Sequence, residues 1–245
     1  MQGEPTSQAR LDALWASLHE AVADCAWDAA EGLLRRFLQL APASPLEVWD
    51  TLGYVLLMQG DYGGCLGALE PRRADPARCF WLEHKLGDAH RGLNQLELAV
   101  GCYRRSLVDG SDSPLTCRNL LQVLDGLDPA LATAELCQWQ QAGAPSSAAW
   151  EGAREAAVLV PGLGLAQQLW QVGEADAACR QRLLEDACYR LDQPGVQTLL
   201  ASAQASAAGF SPWERALQQR LAGLGLLAAT NGPGVVAPRR QGVPG

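Results

Sequence analysis

The sequence predicts an all-α protein built from antiparallel helix pairs stacked into an α-solenoid, and three observations carry that expectation. Residues 46–79 are repeated by residues 80–113 at a spacing of 34: Leu52-Gly53 returns as Leu86-Gly87, Cys65 as Ala99 and Leu69 as Tyr103. A fixed period of this length is what a stack of helix-turn-helix units produces. Five helix-start signals punctuate the chain, at Ser44-Pro45-x-Glu47, Asp75-Pro76, Ser113-Pro114, Asp128-Pro129 and Ser211-Pro212-x-Glu214. Each offers a capping oxygen followed by proline at the first helical position. Between the two helices of the repeat stands Gly60, replaced 34 residues later by Asn94. These residue types best tolerate the left-handed conformation that ends a helix.

Taken in order, residues 1–10 read as a polar lead-in. Leu11, Leu14, Trp15 and Leu18 then begin a first helix whose partner carries Trp27, Ala30, Leu33, Leu34 and Phe37. Trp15 and Leu18 stand 34 before Trp49 and Leu52, and Leu120 stands 34 after Leu86, so four copies are visible over residues 11–147. In the second copy Trp49, Leu52, Gly53 and Leu56 fall on one buried helical face, and the glycine lets a neighbouring helix approach. Gly63, Gly64, Gly67 and Pro71 weaken its partner helix, which is expected to stop near Leu69. The third copy has no interior breaker. The stretch 142–147 reads as a turn, followed by a helix over 148–159 that Pro161-Gly162 ends. A degenerate fifth copy (Leu165, Ala166, Leu169, Gly173, Ala178) and two capping helices, about 196–207 and 213–227, complete a region over 148–228. Residues 229–245, rich in Gly and Pro, are expected to be disordered.

At Trp49-x2-Leu52-Gly53-x2-Leu56, Gly60-Asp61-Tyr62, Cys65-x3-Leu69 and Asp75-Pro76, the chain resembles a tetratricopeptide repeat. The next copy carries Leu86-Gly87-x2-His90 and Ala99-x3-Tyr103. The resemblance covers roughly residues 12–147 and implies a right-handed solenoid of four to five repeats. The first and fourth copies depart from it by lacking the Leu-Gly pair, and Thr133 and Cys137 replace the small and aromatic residues of the fourth.

Composition narrows the function classes. The net charge of −8 argues against a nucleic-acid backbone or an anionic membrane as main partner. Eighteen of nineteen basic residues are arginine, Lys85 being the exception, which fits a GC-rich bacterial genome. Eight cysteines without a C-x-x-C pair or a secretory leader point to a reduced, cytoplasmic setting. Cys65 and Cys137, in repeat packing slots, read as buried small hydrophobes. No apolar run approaches the ~18 residues of a membrane span. His84 and His90 lie six apart, off the spacing for metal ligands on one helix face, and His90 reads as a structural histidine. Gly162-Leu163-Gly164 and Gly223-Leu224-Gly225 follow no strand and read as turn and helix glycines. With no nucleophile, paired carboxylates or metal motif, the sequence predicts no enzyme, no cofactor and no metal.

The expected function is therefore a protein–protein interaction scaffold or assembly adaptor. Repeats of the kind it resembles line a concave groove with the first helix of each pair. The residues turned away from the packing stripe there are Glu47, Asp50, Tyr54, Leu57 and Met58, then Trp81, His84, Asp88 and Arg91, then Leu115, Arg118, Gln122 and Asp125. Tyr54, Met58 and Trp81 are the anchors for a protein or peptide segment, with a basic group expected at Glu47 and Asp50 and an acidic one at Arg91 and Arg118. Asp50 and Tyr54 stand where a chaperone-type carboxylate clamp needs lysine and asparagine, which argues against that ligand. The alternative is an accessory module of a bacterial glycosyl- or methyltransferase system.

Overall fold

A computed structural model describes residues 7–143, 146–206 and 209–227. Among these residues the chain is entirely helical: thirteen α-helices, one 3-10 turn and no strand. The first nine are α1 (Ser7–Ala23), α2 (Trp27–Leu40), α3 (Leu46–Gln59), α4 (Tyr62–Leu69), α5 (Phe80–Gly92), α6 (Leu96–Val108), α7 (Pro114–Leu127), α8 (Pro129–Gln141) and α9 (Ser147–Leu159). They are followed by α10 (Gly164–Gln171), α11 (Ala177–Tyr189), α12 (Gln193–Ala205) and α13 (Pro212–Gly223). Two compact units divide after Gln168. None of the helices described is long and apolar enough to cross a membrane.

Within the first unit each helix from α1 to α7 packs on the next, α3 also meets α5, and α9 packs on α7. The helix starts follow the sequence period: α3, α5 and α7 begin at 46, 80 and 114, and α4 and α6 at 62 and 96. Their closures repeat as well. Gly60 has φ 79° and Asn94 φ 57°. At the first, Asp61 N–H donates to the Leu56 carbonyl at 2.9 Å; at the second, Gln95 N–H donates to His90 at 2.8 Å. This is the bond that satisfies an orphan carbonyl when a left-handed residue ends a helix.

Leu52, Leu56, Cys65, Leu69, Leu82, Leu86 and Tyr103 are buried in the first unit's interior. Gly53 and Gly87 face the side chains of Leu69 and Tyr103 so closely that a Cβ on either would stand 2.6 Å from them. The glycine of each Leu-Gly pair thus takes the large residue of the following helix against bare backbone. Trp49, expected on the buried face, is only half-buried. Val48 and Val55 complete the stripe, while the Arg72 guanidinium lies 3.5 Å from the Trp49 ring centroid as a cation–π cover. Arg72 is placed there because α4 ends at Leu69, as its glycines lead one to expect, and the chain tightens into a 3-10 turn at Glu70–Arg72.

The helix-start signals fare unevenly. Asp128 accepts from Ala130 N–H, and Ser211 with Glu214 forms a reciprocal capping box. The Ser113 side chain makes no cap bond to α7, and Ser44 donates back to the Ala41 carbonyl instead of capping α3. Asp75 caps only a turn, and α5 begins four residues after Pro76. The intervening turn is held by charge: Glu83, almost fully buried, accepts from Arg73 at 3.1 Å and Arg105 at 3.0 Å, and Arg78 pairs with Asp109. At the N-terminus Ser7–Arg10, read from sequence as lead-in, are the first turn of α1. Cys137 is half-buried rather than buried, while Cys65 is sealed, and burial pushes its thiol up to about 12. The rest of the lead-in, Ala144 and Pro145 of the turn stretch, and the tail 229–245 lie outside the described residues.

In the second unit α11 packs on α12, and α12 on α13. Arg180 of α11 donates to both carboxylate oxygens of Glu214 at 2.8 and 3.4 Å, with both side chains nearly inaccessible. Glu214 also accepts from Ser211 N–H at 2.7 Å. Burial pushes its carboxyl up, but the hydrogen bonds from Arg180 and Ser211 outweigh burial and hold it below the ordinary glutamate range. Removing one partner of such a pair leaves a buried charge uncompensated, at a cost of about 3 kcal/mol or more. Glu214→Ala should therefore lower the unfolding free energy by about 3 kcal/mol and strip hydrogen-exchange protection from the α13 amides first; unchanged protection would contradict this role.

Candidate functional site

A cavity of about 760 Å3 opens on the first unit. From α3 come Tyr54, Leu57 and Met58, and from the start of α4 comes Tyr62. Trp81, His84, Lys85, Asp88 and Arg91 line it along α5, and Leu115 of α7 closes one side. Residues 81, 84, 85, 88 and 91 recur at helical spacing, so α5 presents them as a single stripe. Its other side carries Leu82, Leu86 and Gly87 into the core. Tyr62 crosses the end of α5 because Gly92 has no side chain there; a Cβ on Gly92 would stand 2.5 Å from the ring.

The walls are apolar and aromatic. Met58 is 49% exposed and Tyr54 38%. Tyr54 meets Trp27 edge-on at 5.8 Å, and Trp81 leans on Phe80 and His84 at 4.9 and 5.1 Å. The floor is polar and internally satisfied. Asp88 Oδ1 accepts from Tyr103 Oη at 2.6 Å and from Asn119 Nδ2 at 2.9 Å, while Oδ2 is 3.3 Å from His84 Nε2. The other ring nitrogen of His84 lies 2.8 Å from Thr116 Oγ1. Burial acts to raise the Asp88 pKa, but the hydrogen bond and charge of His84, then the Tyr103 hydroxyl and Arg91, hold it below the ordinary aspartate range. Tyr103 is pushed the other way, by burial and by the Asp88 charge.

The residues expected at a binding face are distributed unevenly. Tyr54, Met58, Trp81, His84, Asp88 and Arg91 converge on the cavity, with Leu57 and Leu115. His84 does so only from beneath: it is 5% exposed, because Thr116 and Asn119 of α7 reach over the flank of α5. Asp50 does not await a basic partner, since Lys85 Nζ donates to both its oxygens at 2.8 and 2.9 Å. Arg118 is likewise engaged, with Glu155 at 3.2 Å. Gln122 is half-buried on α7, and Asp125 lies on the same helix; neither lines the cavity. Glu47 is exposed in the first turn of α3 beside a separate depression with Trp15 and Phe37. Sequence reasoning missed Tyr62, Lys85 and Gly92. Lys85, the one lysine of the chain, lies one repeat plus one residue after Asp50, a spacing that places it next to that carboxylate.

His90, read as structural, is buried with Nδ1 2.7 Å from Gln95 Oε1. The two histidines therefore engage separate partners. No protein-family model and no curated protein matches the chain.

The Asp88 network sets a pH dependence. A carboxyl whose folded pKa lies below its unfolded value, near 4 for aspartate, contributes stability that is complete above about pH 4 and is lost as pH falls through the folded value. Asp88→Asn should lower stability by about 1–3 kcal/mol at neutral pH and flatten the acid limb of a urea-unfolding series. An unchanged acid limb would show that Asp88 does not carry it.

Proposed function

We propose that this chain is a non-enzymatic protein–protein interaction module, a tetratricopeptide-like right-handed α-solenoid of four to five repeats that holds a segment of a partner protein in the cavity along α5. The observation that carries the reading is the convergence of Tyr54, Met58, Trp81 and Leu115 from three helices on one opening, above a floor whose polar groups are bonded to one another. Exposed aromatic and methionine side chains anchor partners. Lone surface apolar residues are ordinary, but a cluster around a concavity marks a binding site. The 34-residue spacing of helix starts supports the repeat reading, because each unit then presents the first helix of its pair to the same side. A reduced cytoplasmic setting and a scaffold or adaptor role go with this reading.

Affinity capture with the full chain, followed by mass spectrometry, identifies candidate partners. Against such a partner, Tyr54→Ala and Met58→Ala should each weaken binding by about 2 kcal/mol if the residues are hot spots, while changing stability by only about 0.5 kcal/mol. Leu86→Ala, a sealed core position, should cost about 2–5 kcal/mol of stability. If the two cavity variants melt as low as Leu86→Ala, those side chains belong to the core; if they alter neither melting nor binding, the partner is held elsewhere.

A further inference from the structure

The cavity's hydrogen-bonding capacity is lopsided. Both carboxylates beside it already hold partners from within: Asp50 holds Lys85, and Asp88 holds Tyr103, Asn119 and His84. A ligand that brings a cation therefore competes with Lys85, His84 and Arg91 for them. The Arg91 guanidinium is different. It is 39% exposed at the side chain, lines the opening and, among the described residues, has one ion-pair contact, 3.4 Å to the same Asp88 oxygen that already accepts from Tyr103 and Asn119. Five N–H donors in a planar fork are matched by bidentate binding to a carboxylate. The unspent polar group at this site is a donor with a positive charge.

The placement of that donor sets a distance. Trp81 stands in the first turn of α5 and Arg91 in its last, ten residues and about 15 Å apart along the helix axis. Leu115 stands 34 residues after Trp81, each in the first turn of its helix, while Tyr54, Leu57 and Met58 come from the second half of α3, so apolar lining is supplied from both ends of the helices and not from one point. An extended peptide covers the same 15 Å in about four or five residues.

We infer that the partner segment held here is an extended stretch in which an aspartate or glutamate side chain meets Arg91 and a bulky apolar side chain, about four or five residues away, seats against Trp81 and Leu115. This rests on the interaction-module reading and specifies its ligand. The charge complementarity is local: the chain as a whole carries −8, so it favours a segment with one acidic group over an acidic run.

The probe is a phage library of random dodecapeptides panned on the full chain. Enriched sequences should share an acidic residue and a large apolar residue at that spacing. A synthetic peptide of the enriched sequence should lose about tenfold or more in affinity when its acid becomes Gln, and by a similar factor on the Arg91→Gln protein. The Arg91→Glu protein should prefer the same peptide with Lys in the acidic position. Arg91→Gln should melt close to the parent, since it loses one partly exposed contact of 3.4 Å to Asp88; Arg91→Glu, which brings a second carboxylate to Asp88, should melt lower, and its peptide preference is read below that melting temperature. Enriched peptides that lack an acid, that bind Arg91→Gln undiminished, or that carry the two residues at another spacing overturn the inference; if those peptides still lose affinity on Met58→Ala, the interaction-module reading stands without it. If no dodecapeptide is enriched, or if all bind Tyr54→Ala and Met58→Ala as tightly as the parent, both fail.

Discussion

The contact on which the first unit depends is the seating of Tyr103 against the bare backbone of Gly87. With 2.6 Å between the ring and a would-be Cβ, α6 lies against α5 at a distance that no other residue at position 87 permits without displacement. That seating buries the Tyr103 ring completely and brings its hydroxyl to Asp88, one residue along from the glycine. Asp88 in turn holds Asn119 of α7. A single missing side chain thus links three helices, and the cavity lies on the side of α5 that this arrangement leaves open. Gly53 and Leu69 make the equivalent approach one repeat earlier, with an aliphatic residue and no polar extension.

The polar groups on the cavity floor are tied to one another within the fold. Asp88 and His84, the titratable pair most suggestive of proton transfer, are committed to Tyr103, Asn119 and Thr116, and His84 is nearly inaccessible. A buried network with every member satisfied rigidifies its surroundings. The apolar walls of Tyr54, Met58 and Trp81 thereby stand on a fixed base, the condition under which the partner binding proposed above would carry a low ordering cost.

Much of this was legible in the sequence because it depends on local rules. The left-handed residues at 60 and 94, the end of α4 at Leu69 and the glycine role at 53 and 87 each follow from what one residue type can do in one conformation. The cavity stripe on α5 was legible for the same reason, since helical spacing alone places 81, 84, 88 and 91 together. What escaped are interactions between successive copies of the repeat within the first unit. Asp28–Gln59, Arg78–Asp109, Asp88–Asn119 and Arg104–Glu135 all span 31 residues, one period less about one helical turn, and Asp50–Lys85 spans 35. Charges that look solvent-facing within one copy are neutralised by the next, so Asp50 and Arg118 read as available when they are engaged. The cap at Asp75 failed for a related reason: Glu83 and the arginines around it fix the preceding turn and delay the helix.

The most direct test of the close approach is a double-mutant cycle between Gly87→Ala and Tyr103→Ala, read by urea unfolding. In the parent background the added methyl meets a ring that cannot move, and such overpacking costs about 1–3 kcal/mol. Without the ring, the same change should be neutral or stabilising by up to about 1 kcal/mol, the helix-propensity gain of alanine over glycine. A coupling of at least about 1 kcal/mol between neighbouring sites is then expected. Equal costs of Gly87→Ala in both backgrounds would mean that Tyr103 does not set the helix separation, and the account of how α5, α6 and the cavity are held together would be wrong.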